Sequence, residues 1–107
     1  MLNKYSKYEL LKSLEKDSSL TQRQLSKELG LSLGKVNYCL RNLIGEGFIK
    51  VRRFKVNKNK AKYLYLLTPE GVKKHAKLTM EFLKEKTKEY EALKKEVERL
   101  GVNDQNS

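Results

Sequence analysis

The period of the hydrophobic positions changes twice along this chain, and the changes divide it. Tyr8, Leu10, Leu11 and Leu14 recur at helical spacing and predict a first helix over about 5–16. Ser6 and Glu9 stand in capping-box order at its start, and "KDSS" ends it. In "TQRQLSKELG", Leu25 and Leu29 lie four apart on one inner face. Thr21 with Gln24 gives a second capping-box pattern, and Gly30 supplies a left-handed stop. A second, short helix follows from this. Ser32 then caps a third, whose apolar stripe is Leu33, Val36, Leu40, Leu43 and Ile44. Beyond Gly30 only Leu31 and Ser32 separate the two helices, so they must cross steeply, as in a helix-turn-helix.

"GEGF", 45–48, ends the third helix, and the period drops to two. Ile49 and Val51 alternate with Lys50 and Arg52, and "KYLYLLT", 62–68, reads as the returning strand. Asn57 and Asn59 tolerate positive φ and can form the turn between them. The alternation slips near Phe54, which predicts a bulge or twist there.

At "TPEG" the period returns to helical. Thr68 can cap, Pro69 fits the first helical position, and Glu70 sits at the positive end of the dipole. With no proline or glycine between Gly71 and Leu100, one helix can run through this stretch, ~48 Å long at ~1.5 Å per residue. Val72, Ala76, Thr79, Leu83, Lys86, Tyr90, Leu93, Val97 and Leu100 form a heptad seam, weakest at Thr79 and Lys86. The seam can be a dimer interface, centred on Leu83, Tyr90, Leu93, Val97 and Leu100, or the helix can fold back over its own domain. "GVNDQNS" predicts a flexible end over 101–107.

The expected fold is therefore mainly α with a small β-hairpin (α+β): a winged helix-turn-helix over 1–71, then a long C-terminal helix over 72–100. Ser26, small where the crossing helices meet, with Gly30 four residues on, supports the helix-turn-helix independently.

Charge turns this fold toward a partner. The 107 residues carry a net +11, of which residues 1–71 hold +9. Such an excess favours a polyanion, nucleic acid before an acidic membrane surface. The longest apolar run, "YLYLL", is far too short to span a bilayer, and the N-terminus is too charged for a secretory signal. A single cysteine, Cys39, gives no intrachain disulfide and no zinc cluster, so a reduced, cytoplasmic setting is expected. Cys39 reads as a core or boundary thiol. His75 has no second His or Cys near it in sequence, which argues against a metal site. Tyr5, Tyr8, Tyr63 and Tyr65 read as packing residues rather than stacking platforms.

The candidate chemistry is recognition. With the stripe buried, the third helix turns Gly34, Lys35, Asn37, Tyr38, Arg41 and Asn42 outward, and no acid lies between Ser32 and Asn42. Lys and Arg can donate to guanine, Asn can pair with adenine, and Tyr can touch a thymine methyl or a phosphate. Gly34 permits close approach, and Ser32 with adjacent amides can hold a phosphate. Helix 32–46 is thus the candidate for the major groove. Thr21, Gln22 and Arg23 begin the helix that crosses the DNA backbone in this geometry, although Thr21 can equally be a cap alone. In the wing, 50–62, Arg52, Arg53, Lys55, Lys58, Lys60 and Lys62 suit phosphates, with a tip residue reaching the minor groove. Arg52 and Arg53 are neighbours on a strand and cannot share a face.

"TQRQLSKELGLSLGKVNYCLRNLIGEGFIK" followed by "LYLLTPEG" resembles the winged-helix core of MarR-family transcriptional regulators, over roughly 5–100. The short length is similar to a compact subgroup associated with exopolysaccharide gene clusters. The resemblance implies a dimeric, sequence-specific regulator of double-stranded DNA. Family members commonly carry Asp-x-Arg in the wing, where this chain has "VNKNKAK"; longer members have N-terminal helical sequence that this chain lacks. No paired carboxylates, nucleophile–base set or phosphate-cradling glycine loop points to an enzyme. No cofactor or metal is implied, and a small-molecule effector stays open. A protein-interaction module and a non-specific nucleic-acid binder, RNA included, are the alternatives; the cationic third helix disfavours the first of these.

Overall fold

The computed structural model describes residues 3–101. Three helices come first: α1 (Lys4–Lys16), α2 (Gln22–Leu29) and α3 (Leu33–Gly45). A hairpin of β1 (Ile49–Asn57) and β2 (Lys60–Leu67) follows, then α4 (Pro69–Leu100). The fold is a winged helix, as the periodicity predicts.

The core is where the first three helices and the start of α4 converge. Leu10, Leu11, Leu14, Leu25, Val36, Cys39, Leu40, Leu43, Ile49 and Leu78 are all buried there. Cys39 is therefore a core residue. The stripe of α3 is rotated slightly from the expected one, because Leu33 at the helix start is 46% exposed and Cys39 takes a core position. Ile44 lies at the exposed edge.

Local chemistry sets the boundaries. Thr21 forms a full capping box with Gln24, and Gly30 ends α2 at φ 67°. Ser26 donates its hydroxyl to the Leu31 carbonyl, tying the helix to the turn. The start of α1 differs from expectation: Asn3 is the cap, accepting from the Ser6 amide, and Ser6 is buried inside the helix.

The antiparallel hairpin pairs Ile49 with Leu67, Val51 with Tyr65 and Arg53 with Tyr63. Its register slips between Lys55 and Asn57, slightly beyond Phe54. Among the described residues no non-glycine has positive φ, so the turn does not use the left-handed asparagines expected. Instead the Asn57 side chain accepts from the Asn59 amide, and this local hydrogen bond makes the turn. The α1–α2 connection runs beside β2, and the Tyr65 amide donates to the Ser18 carbonyl at 3.0 Å.

Thr68 fixes the start of α4 twice over. Its Oγ1 accepts from the Gly71 amide at 3.0 Å and donates to the Gly47 carbonyl at 2.6 Å. Its own amide donates to the Phe48 carbonyl at 3.1 Å. Gly71 is buried against this loop so closely that a Cβ would lie 2.0 Å from the Phe48 carbonyl oxygen. The first turns of α4 pack inward through His75, Leu78 and Phe82. Phe82 meets Tyr5 edge-on and lies against Tyr8, and His75 meets the Glu15 carboxylate.

Beyond Phe82 the helix leaves its domain. It is 32 residues long, and the molecule extends 67 × 28 × 24 Å. Its apolar residues there, Leu83, Tyr90, Leu93, Val97 and Leu100, are all exposed. The fold-back reading holds for the first turns only: they cover their own domain, and the apolar residues from Leu83 onward are left exposed. Gly101, at φ 70°, closes the helix; of the expected flexible end, 102–107 lies outside the described residues.

Candidate nucleic-acid interface

Two hollows frame the polar side of the domain, one along the outer face of α3 and one between the start of α2 and the hairpin, and Gln22 links them by hydrogen bonds to Asn37 and Tyr65. Ser32 caps α3 by accepting from the Lys35 amide at 3.1 Å, so the free amides of the first turn point outward beside an exposed hydroxyl. Gly34, Lys35, Tyr38 and Arg41 are exposed in succession along the helix. Nothing lies within 4 Å of where a Gly34 Cβ would stand, so this position is open to solvent. Asn37 and Asn42 are half-buried. The Asn42 amide donates to the Tyr38 carbonyl at 3.0 Å, which turns it back along its own helix. A shallow hollow lies between Asn37, Tyr38, Arg41 and Asn42. The nearest acid, Glu46, stands at the end of α3 and is paired with Lys7 at 2.7 Å. Glu46 also lines the end of that hollow, so the cationic face carries an acid there.

At α2, Thr21 is committed to the capping box and Arg23 is exposed. Gln22 points toward α3 and β2 rather than straight outward. Its Nε2 donates to the Tyr65 hydroxyl, and its Oε1 accepts from the Asn37 amide, each at 3.2 Å. Nothing in the apolar pattern marks this contact. Tyr65 reads as a packing residue in sequence, and its ring does pack against the core, but its hydroxyl has a polar partner 43 residues away in the chain.

The hairpin places Arg53 and Lys55 on one face and Arg52 on the other, as strand geometry requires. Lys58 lies in the turn, and Lys60 and Lys62 begin β2. All six are exposed, and among the described residues none forms an ion pair. Phe54 and Val56 are 42% and 50% exposed, so the outer half of the wing carries apolar side chains with no core beneath them. Tyr63 is half-exposed on the same ribbon, opposite Arg53.

Burial pushes the Cys39 thiol up to about 11. A hydrogen bond from Lys4 holds the Glu81 carboxyl below its ordinary value, joining α1 to α4. Among the described residues no His, Cys, Asp and Glu group could hold a metal ion, and no helix is long and apolar enough to cross a membrane.

Known proteins share this fold. Residues 4–50 match the family model described as winged helix-turn-helix DNA-binding. The adhesin competence repressor AdcR of Streptococcus pyogenes is similar in structure, with TM-score 0.65 and 19% identity over 89% of this chain and 67% of its own. FabT of Streptococcus pneumoniae, solved in complex with DNA, has TM-score 0.60 and 26% identity over 90% of this chain and 66% of its own. A mutant MarR of E. coli, complexed with operator DNA, has TM-score 0.55 and 25% identity over 70% and 52%. No curated protein is significantly similar to the chain in sequence.

Proposed function

We propose that this chain, a winged helix-turn-helix protein with the architecture of the MarR-family regulators, is a sequence-specific, double-stranded DNA-binding transcriptional regulator that acts as a homodimer. The observation that carries this reading is the outer face of α3: Lys35, Tyr38 and Arg41 are exposed, and Glu46, the acid at the end of that helix, is paired with Lys7. In this reading α3 enters the major groove. Lys35 and Arg41 donate to base edges or flanking phosphates, and Asn37 reads an adenine. Ser32 and the first amides of α3 hold a phosphate. Arg23 and the remaining Gln22 N–H meet the backbone beside it. The wing cations, Arg52, Arg53, Lys55, Lys58, Lys60 and Lys62, supply affinity and orientation along the backbone and minor groove. The DNA complexes of FabT and E. coli MarR support the same use of this fold.

The bare apolar stretch of α4 supports dimerisation. Leu83, Tyr90, Leu93, Val97 and Leu100 recur every three or four residues with no partner in their own domain. Two reading helices would then sit on half-sites about one helical turn apart, ~34–36 Å. The test is selection of binding sites from random duplexes, repeated with a Lys35→Ala/Arg41→Ala double variant. The wild type should yield a two-fold symmetric motif and the variant should lose it. An unchanged motif in the variant sinks the assignment.

A further inference from the structure

Gln22 joins three elements through one side chain. It takes a hydrogen bond from Asn37 on α3 and gives one to Tyr65 on β2. All three residues are half-buried, so the chain of bonds is partly shielded from water. Both distances, 3.2 Å, lie at the long end of the normal range. The Tyr65 end is anchored by its ring against the core and by its amide on the Ser18 carbonyl. The Asn37 end borders the open hollow on α3 beside Arg41.

Counting donors shows what this leaves available. A primary amide has two N–H donors and one carbonyl acceptor. Asn37 gives one N–H to Gln22 and keeps the other, together with Oδ1. Those two groups are what adenine N7 and N6 require. Rotating the Asn37 amide alone would set its Oδ1 against the Gln22 Oε1, which is repulsive. Gln22, in turn, is a long side chain near a helix start, and Tyr65 is the residue that removes its freedom.

We infer that Tyr65 is a positioning residue for sequence recognition: through Gln22 it fixes the Asn37 amide in the orientation that reads an A·T pair. The inference rests on the DNA-binding reading above, yet neither Tyr65 nor Gln22 has to touch a base. Preorganisation of this kind sharpens a contact by removing competing orientations before binding.

Tyr65→Phe is the direct probe, because it keeps the ring and deletes only the hydroxyl. Two measurements separate the inference from the reading beneath it. In the free protein, the side-chain amide resonances of Gln22 and Asn37 should shift in Tyr65→Phe; if both stay in place, the bonded chain does not exist and the inference falls whatever the DNA does. In binding-site selection, Asn37→Ala should lose base preference at one A·T position in each half-site. Tyr65→Phe should lose preference at that same position by roughly two- to tenfold, the range for one hydrogen bond. The other positions and the salt dependence should be unchanged, and the double variant should be no worse there than Asn37→Ala. A uniform weakening across all positions, or no change at the Asn37 position, overturns the inference. A wild type that selects no motif overturns the DNA-binding reading and the inference together, even with the amide shifts present.

Discussion

Replacing Gly71 by alanine tests how tightly the long helix is joined to the winged domain. The added Cβ would lie 2.0 Å from the Phe48 carbonyl oxygen and 2.9 Å from its carbon. An ordinary carbon–oxygen contact is ~3.3 Å, so one element must retreat by more than ~1 Å. The obstacle is backbone and cannot swing aside as a side chain could. Overpacking of this kind costs about 1–3 kcal/mol. The same carbonyl accepts the Thr68 amide at 3.1 Å, and weakening that bond adds about 1 kcal/mol. Helix propensity returns up to about 1 kcal/mol, since alanine is favoured over glycine. The net loss is then about 1–3 kcal/mol, which in a chain of this size lowers the melting temperature by roughly 4–20 °C. Gly34→Ala is the matched control, because nothing lies within 4 Å of its Cβ. It should leave stability unchanged or raise it by up to about 1 kcal/mol, while weakening DNA binding. Thermal and urea denaturation at one protein concentration measure both. Gly71→Ala as stable as the wild type would refute the close junction.

Further outcomes follow from the same structure. Binding should weaken steeply with salt, and Lys58→Ala/Lys60→Ala should flatten the slope of log K against log salt by about 1–2 without changing base preference; an unchanged slope removes the wing from the phosphates. If the proposed dimer forms through α4, Leu93→Lys should convert it to a monomer by sedimentation while circular dichroism shows the winged domain intact; a persistent dimer would place the interface elsewhere. Cys39 should resist maleimide in the folded protein and react only as fast as the chain unfolds. With its thiol raised from 9.0 to about 11, the folded state holds the proton more firmly than the unfolded state. Its contribution is complete below pH 9 and declines as pH rises toward 11, so stability should fall over that window; a Cys39→Ala variant whose stability falls equally there would assign the loss to other groups.

Elements with strong local chemistry were legible in the sequence. Thr21 with Gln24, Gly30, Ser32, and Thr68 with Pro69 each act within four residues, and all take the predicted roles. Two local readings differed because a competing neighbour was equally good. Asn3 outcompetes Ser6 as the α1 cap, and Asn57 bonds to the Asn59 amide instead of turning left-handed. The outward order of Gly34, Lys35, Tyr38 and Arg41 was readable because one buried stripe fixes a helix in rotation. The Tyr65–Gln22–Asn37 chain was not readable. It depends on three elements meeting, and no period connects residues 15 and 43 positions apart. Likewise no local pattern marks the close approach at Gly71, because the Phe48 carbonyl that meets it comes from a distant part of the chain.

The two faces of α4 have a mechanical consequence. Positions 71, 75, 78 and 82 meet the domain, while 72, 76, 79 and 83 begin the exposed seam, a constant offset of one residue. One residue is ~100° of rotation, so in the proposed dimer the bearing of each winged domain relative to the seam would be set by helical phase. A change in helix length after Phe82 would reset that bearing. A single inserted residue would swing the domains by ~100° and lengthen the rod by only ~1.5 Å. Seven inserted residues would lengthen it by ~10 Å and leave the bearing within ~20° of where it began. In the proposed dimer, the distance between the two winged domains would therefore change in heptad steps without a change of bearing.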